Sequence, residues 1–146
     1  MSVDVQVAHT IESPVDTVAG YAAGPSNVPN WYRRIHTVKW KTDPPVVVGS
    51  RIEFEARFMG KRLVYTYEVV EYVPGAALTM TTADGPFSMT TEYRWSPVEG
   101  DRTLMTLRNF GEPTGFSKVS APLMAFAMRR AMKQDLRRLA TILESR

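Results

Sequence analysis

Residues 51–82, RIEFEARFMGKRLVYTYEVVEYVPGAALTMTT, alternate apolar and polar side chains through three runs, with Met59-Gly60-Lys61 and Pro74-Gly75 between them. A period of two is the signature of a strand with one buried face, and turn signals this short join neighbouring strands antiparallel. The first run sets Ile52, Phe54, Ala56 and Phe58 against Arg51, Glu53, Glu55 and Arg57. Charged side chains belong in water, so the apolar row marks the inner face. Leu63, Tyr65, Tyr67 and Val69 continue it in the second run, and Leu78 and Met80 in the third.

Toward the C-terminus the meander goes on. FSMTTEYRW (87–95) and RTLMTLRNF (102–110) are further strands, with Asp84-Gly85-Pro86 and Glu99-Gly100-Asp101 as turns. Their inner rows are Phe87, Met89, Thr91, Tyr93 and Trp95, then Thr103, Met105, Leu107 and Asn109. Asn109 stands where the alternation calls for an apolar side chain. Its four amide hydrogen-bond sites are hard to satisfy in a closed core, which places it at a cavity or beside water. Gly111, Pro113 and Gly115 are read as ending the strand and leading into a last helix, from about Ser117 or Ser120 to Glu144. That helix carries Ala121, Met124, Ala125, Met128, Met132, Leu136, Leu139 and Leu143 in one apolar stripe. Pro122 fits only in a first turn, which favours a start near Ser120. The helix then spans roughly 38 Å, close to the roughly 40 Å of the strand from residue 62.

Toward the N-terminus, Val3, Val5, Val7, His9 and Ile11 share one face of a strand over 3–11. Ser13 is read as an N-cap with Pro14 in the first turn of a short helix whose buried side is Val15, Val18, Ala19 and Ala22. Gly24-Pro25 ends it, Ser26 to Trp31 forms a second short helix or turn, and a strand follows near 35–41. The expectation is an α+β fold: a seven-stranded, curved antiparallel sheet wrapped around a long C-terminal helix, with two short helices between strands 1 and 2. A twisted sheet of this size hides its apolar face by curling around the helix. One domain is expected over residues 1–146, a length at which roughly two thirds of the chain's surface is buried on folding.

Composition narrows the function classes. Hydrophobic residues at 44% and charged residues at 23% are those of a globular chain, not a disordered one. The absence of cysteine excludes disulfides and cysteine zinc sites and is compatible with a cytoplasmic location. The N-terminal MSVDVQVAHTIESP has no leader or lipidation pattern, and no apolar run approaches the roughly 18 residues of a membrane helix, so no stable membrane insertion is expected. A net charge of +3 is too modest to name a partner.

Several chemistries lack their residues. The histidines are His9 and His36, outside any H-E-x-x-H pattern, so no metal is expected. Gly115-Phe116-Ser117-Lys118-Val119 lacks the second glycine of a nucleophile elbow. No glycine-rich phosphate loop appears, and no cofactor is implied. Glu53, Glu55, Glu68 and Glu92 fall on the outer face, where Arg57, Arg94 and Arg108 are expected to pair with them. Arg129, Arg130, Lys133, Arg137 and Arg138 lie off the apolar stripe and are read as a solvated face that complements the helix C-terminus, not as a nucleic-acid surface.

The inner surface is therefore aromatic and methionine-rich with a few separated polar groups, the composition of a small-molecule pocket. The candidate ligand-binding residues are His9, Trp31, Phe54, Phe58, Tyr65, Tyr67, Met80, Met89, Thr91, Tyr93, Met105, Asn109, Met124 and Met128. No catalytic residue is named. For His9, Tyr and Thr the alternative is a hydrogen-bonded place in the core.

The order of elements, with SPVDTVAGY and Trp31 early, EVVEYVPGAAL in the middle, EYRWSPVEGDRT before the last strand and LRRLATILE near the end, resembles the helix-grip fold of the START and Bet v 1-like (SRPBCC) superfamily. More narrowly it resembles the bacterial polyketide cyclase/dehydrase and lipid-transport group. The resemblance covers nearly the whole chain. It implies a small hydrophobic partner, a lipid, isoprenoid or polyketide, held in an internal cavity. Asn109 departs from the branched apolar residue expected at its position, and no short motif of the group's aromatic cyclases is matched. Three functions are carried forward in this order: a binder or carrier of such a molecule, a cyclase or dehydratase using the same cavity, and a protein or RNA interaction module. Ligand identity and oligomeric state are not encoded in any motif.

Overall fold

The computed structural model describes residues 2–84, 88–116 and 118–146. Strand β1 (Val3–Ile11) leads into helix α1 (Val15–Ala22), a single 3-10 turn (Pro25–Asn27) and the short helix α2 (Val28–Trp31). Strands β2 (Ile35–Trp40), β3 (Arg51–Phe58), β4 (Lys61–Val73), β5 (Ala77–Asp84), β6 (Ser88–Val98) and β7 (Arg102–Glu112) follow, then helix α3 (Ala121–Glu144). All seven strands form one antiparallel sheet in the order β1-β7-β6-β5-β4-β3-β2. The predicted fold class is the observed one. Gly85, Pro86, the inward reading of Phe87 and the candidate helix start at Ser117 lie outside the described residues.

Hairpin chemistry sets the meander. At Met59-Gly60 both residues have positive φ, the backbone of a two-residue turn whose twist matches the strands it joins, and the three-residue loop 99–101 turns through Gly100 and Asp101, also at positive φ. The sheet's curl has local causes too. Register shifts between Ile35 and Thr37, between Thr66 and Tyr67 and between Val69 and Glu71 are bulges, which bend a strand and sharpen its twist.

Three local readings are corrected. Ser13 does not cap α1; Pro14 holds the N-cap position in extended conformation without a side-chain bond. The Ser13 N–H donates to Ile11 O and its carbonyl accepts from buried Thr103, both at 2.8 Å, so Ser13 is held in a tight turn just after β1. Gly111 does not end β7: it pairs with Val3 and Met89, and the strand continues to Glu112. Its φ of +140° and the tight approach of Ser88 O are what require glycine there. Finally, no basic side chain stands in the last turn of α3, so the cations at 129–138 lie too far back to complement its C-terminus.

Helix α3 begins as expected. Ser120 accepts from the Leu123 N–H at 3.3 Å and Pro122 lies in the first turn. Its buried face is Met124, Met128, Ala131, Met132, Asp135, Leu136, Leu139, Ala140 and Leu143. The helix packs most closely on β1, at one edge of the sheet, and so stands across the concave face from the central strands. Outside, Glu55 pairs with Arg62, Glu68 with Arg51, Glu53 with Lys41, and Glu92 with both Arg94 and Arg108. Arg62, not Arg57, takes Glu55, because residue 62 is on the adjacent strand and can reach it bidentately.

Candidate functional site

Between the inner face of β3–β7, the segment from α2 into β2, and α3 lies a cavity of about 140 Å3. Phe54, Ala56, Phe58, Leu63, Tyr65, Tyr67, Met80, Met89 and Tyr93 form its sheet wall; Met124, Met128, Ala131 and Met132 form its helix wall. Phe116 closes edge-on against Phe58, with ring centroids 6.0 Å apart. The Lys61 ammonium donates to Gly115 O at 2.5 Å and ties that segment to the β3–β4 hairpin. Tyr65 and Tyr67 meet edge-on at 5.1 Å, and Phe54 touches both. The volume is close to that of an apolar cavity of roughly 150 Å3 known to hold benzene, so the resting space suits a guest of about one ring.

Two polar groupings interrupt the apolar lining. In the first, Thr91 donates to Asn109 Oδ1 at 2.6 Å, which leaves its single oxygen to accept from the Tyr67 hydroxyl at 2.7 Å. The chain therefore runs Tyr67 to Thr91 to Asn109, and the Asn109 Nδ2 hydrogens have no acceptor among the described residues. In the second, the Tyr32 and Tyr93 hydroxyls are 2.8 Å apart beside Asp135. Burial pushes all four tyrosine hydroxyls up, Tyr67 to about 12, so they remain neutral donors at physiological pH.

Asp135 is the anomaly of the site. It is 3% exposed, faces the cavity, and has no cation within ion-pair distance among the described residues. Its Oδ1 accepts from the Arg33 N–H at 3.2 Å. Burial raises its pKa to about 7, against the opposing pull of that N–H and of Arg34, Arg33 and Arg138.

Of the fourteen candidate residues, Phe54, Phe58, Tyr65, Tyr67, Met80, Met89, Thr91, Tyr93, Asn109, Met124 and Met128 line this cavity. Trp31, His9 and Met105 are not among its lining residues. Trp31 is fully buried behind the wall, its ring tilted against those of Tyr32 and Tyr93 with centroids 4.3 Å and 5.7 Å away. His9 and Met105 are register partners on β1 and β7, and β1 is where α3 seats, so the helix covers that end of the inner face. Among the polar lining residues, sequence reasoning missed Tyr32, Arg34 and Asp135. Only Asp135 carried a signal: it lies three residues after Met132 and four before Leu139, inside the apolar stripe.

No three His, Asp or Glu side chains cluster as metal ligands among the described residues. No helix of the described residues is long and apolar enough to cross a membrane.

The family model described as polyketide cyclase/dehydrase and lipid transport matches residues 2–144. The chain belongs to this family. No curated protein sequence matches it. Several solved structures share its architecture at low identity. A START superfamily protein from Mycobacterium smegmatis superposes with a TM-score of 0.83 at 13% identity, over 97% of each chain. An aromatase/cyclase from a Streptomyces species gives 0.79 at 15% identity, over 99% of this chain and 94% of the other. Major latex-like protein 151 of Panax ginseng gives 0.77 at 17% identity, over 97% of each. At such identities the likeness is one of fold. For this polyketide cyclase/dehydrase and lipid-transport family member, the chemistry must be read from its own cavity.

Proposed function

We propose that the protein binds one small, largely apolar molecule in the cavity between its sheet and α3. The observation that supports this most is the unfilled space of about 140 Å3, walled by aromatic and methionine side chains, with an amide whose N–H groups meet no acceptor among the described residues. A core built only for stability would close such a void, since empty volume destabilises. A compound of about one ring fits without rearrangement. A lipid, isoprenoid or polyketide enters once Met80, Met89, Met124, Met128 and Met132 shift, as unbranched side chains can. The test is titration of gently purified protein with a fluorescent apolar probe, alongside native mass spectrometry. Saturation at one site per chain and a non-covalent adduct are expected; neither appearing would end this reading.

A cyclase or dehydratase reading rests on one further observation. The polar groups form two hydrogen-bonded pairs, Tyr32 with Tyr93 at 2.8 Å and Tyr67 with Thr91 at 2.7 Å, each with a hydroxyl that could exchange a proton with a bound ketone. Turnover of a small β-polyketone, lost on replacing Tyr67 and Tyr93 by Phe with binding retained, would establish it. Binding without turnover returns the cavity to the carrier role.

A further inference from the structure

Asp135 is a poor residue for stability and a specific one for recognition. A carboxyl buried to 3% exposure has one of its oxygens held by the Arg33 N–H, while Oδ2 has no hydrogen bond to any described residue. The N–H fixed on Oδ1 orients the carboxyl and opposes the protonation that burial favours, so above about pH 7 Oδ2 is presented as an acceptor. The charged and titratable groups around it are Tyr32, Arg33 and Arg34 in the link between α2 and β2, Tyr93 on β6 and Arg138 on α3 itself. None of these cations reaches ion-pair distance. Arg34, which also lines the cavity, is engaged with Gln134 Oε1 at 3.3 Å. The Tyr32–Tyr93 pair shares one hydrogen internally and has a second hydroxyl hydrogen to give.

We propose that Asp135 makes the cavity selective for a one-ring ligand bearing a hydrogen-bond donor, a hydroxyl or an amine, which Asp135 Oδ2 accepts while the Tyr32–Tyr93 pair donates to the same ligand atom where it has a lone pair. This deepens the binding function proposed above and rests on it. The Asn109 grouping offers N–H donors and the Asp135 grouping an acceptor, so the two sides of the cavity differ in the ligand atoms they select.

Because such a ligand pairs with the carboxylate, its binding is linked to loss of the Asp135 proton and strengthens as pH rises through about 7. Benzyl alcohol, benzylamine and ethylbenzene are suitable probes, alike in shape and different in the terminal group. Calorimetric titration at pH 8 is expected to show the alcohol and the amine binding about tenfold or more tighter than the hydrocarbon, the range for a hydrogen bond to a charged group. That margin should shrink toward pH 6. Asp135→Asn keeps the acceptor for Arg33 but turns an NH2 toward the ligand, so the preference for the amine, which only donates, should vanish and that for the alcohol, which can still accept, should lose its pH dependence, while ethylbenzene still binds. A preference unchanged in Asp135→Asn, or no preference in the native protein, overturns the role of Asp135 and leaves the cavity reading intact. Failure of all three compounds to bind overturns both. Should the variant not fold, carbon-detected titration of the native Asp135 carboxyl decides: benzylamine must depress its pKa and ethylbenzene must not.

Discussion

Replacing Asp135 by Asn is predicted to stabilise the folded protein at pH 8. In the fold the carboxyl titrates near 7, well above its ordinary 3.8, because burial disfavours the charge. The unfolded chain therefore releases this proton first. Stability falls as pH rises from about 4 to about 7, and the full penalty is present above that. The gap between 3.8 and about 7 corresponds to roughly 4 kcal/mol as an upper bound. Relaxation and water entry reduce it, so a gain of about 2–3 kcal/mol is expected for Asn, whose Oδ1 still accepts from Arg33. Urea unfolding of both proteins between pH 4 and 8.5, followed by circular dichroism, measures it. The two stabilities should converge near pH 4 and separate progressively to pH 7. Curves that run parallel across this range would refute the reasoning. A residue retained against such a cost is the kind expected at a functional site.

Gly111→Ala should destabilise by about 2–4 kcal/mol, since the added Cβ would collide with Ser88 O at a backbone position of φ +140°; a urea midpoint unchanged within error would mean that β6 and β7 are not so close. Asn109→Leu should leave ethylbenzene affinity unchanged and weaken acetophenone about tenfold, because the ketone loses the Nδ2 donors; equal losses for both compounds would show that residue 109 acts only through packing.

The sheet was legible because charged residues on one face of each strand leave the apolar row no ambiguity, as in Arg51–Phe58. Strand ends were less so. Strand β6 runs on through Ser96-Pro97 to Val98 and β7 through Gly111 to Glu112, where pairing with neighbours overrides local propensity. Asn109 could be placed because an amide in an apolar row has few destinations. His9 was assigned to the inner row, but alternation gives a face and not what covers it, and α3 seats on β1. Asp135 had the right spacing and the wrong chemistry for a core, so a helical stripe read by hydrophobicity alone skips it. Tyr32 and Arg34 come from the non-periodic link between α2 and β2, and only tertiary structure brings them to the cavity.

The central claim is that this space admits a guest. Ala131 lies on the helix wall and is 6% exposed, so Ala131→Phe would fill the cavity from α3 while leaving the sheet untouched. Calorimetric titration of ethylbenzene into native and Ala131→Phe protein is the direct measurement. Binding at one site per chain that disappears in a folded Ala131→Phe variant is the predicted result; equal binding by the two proteins, or none by the native one, would contradict the account.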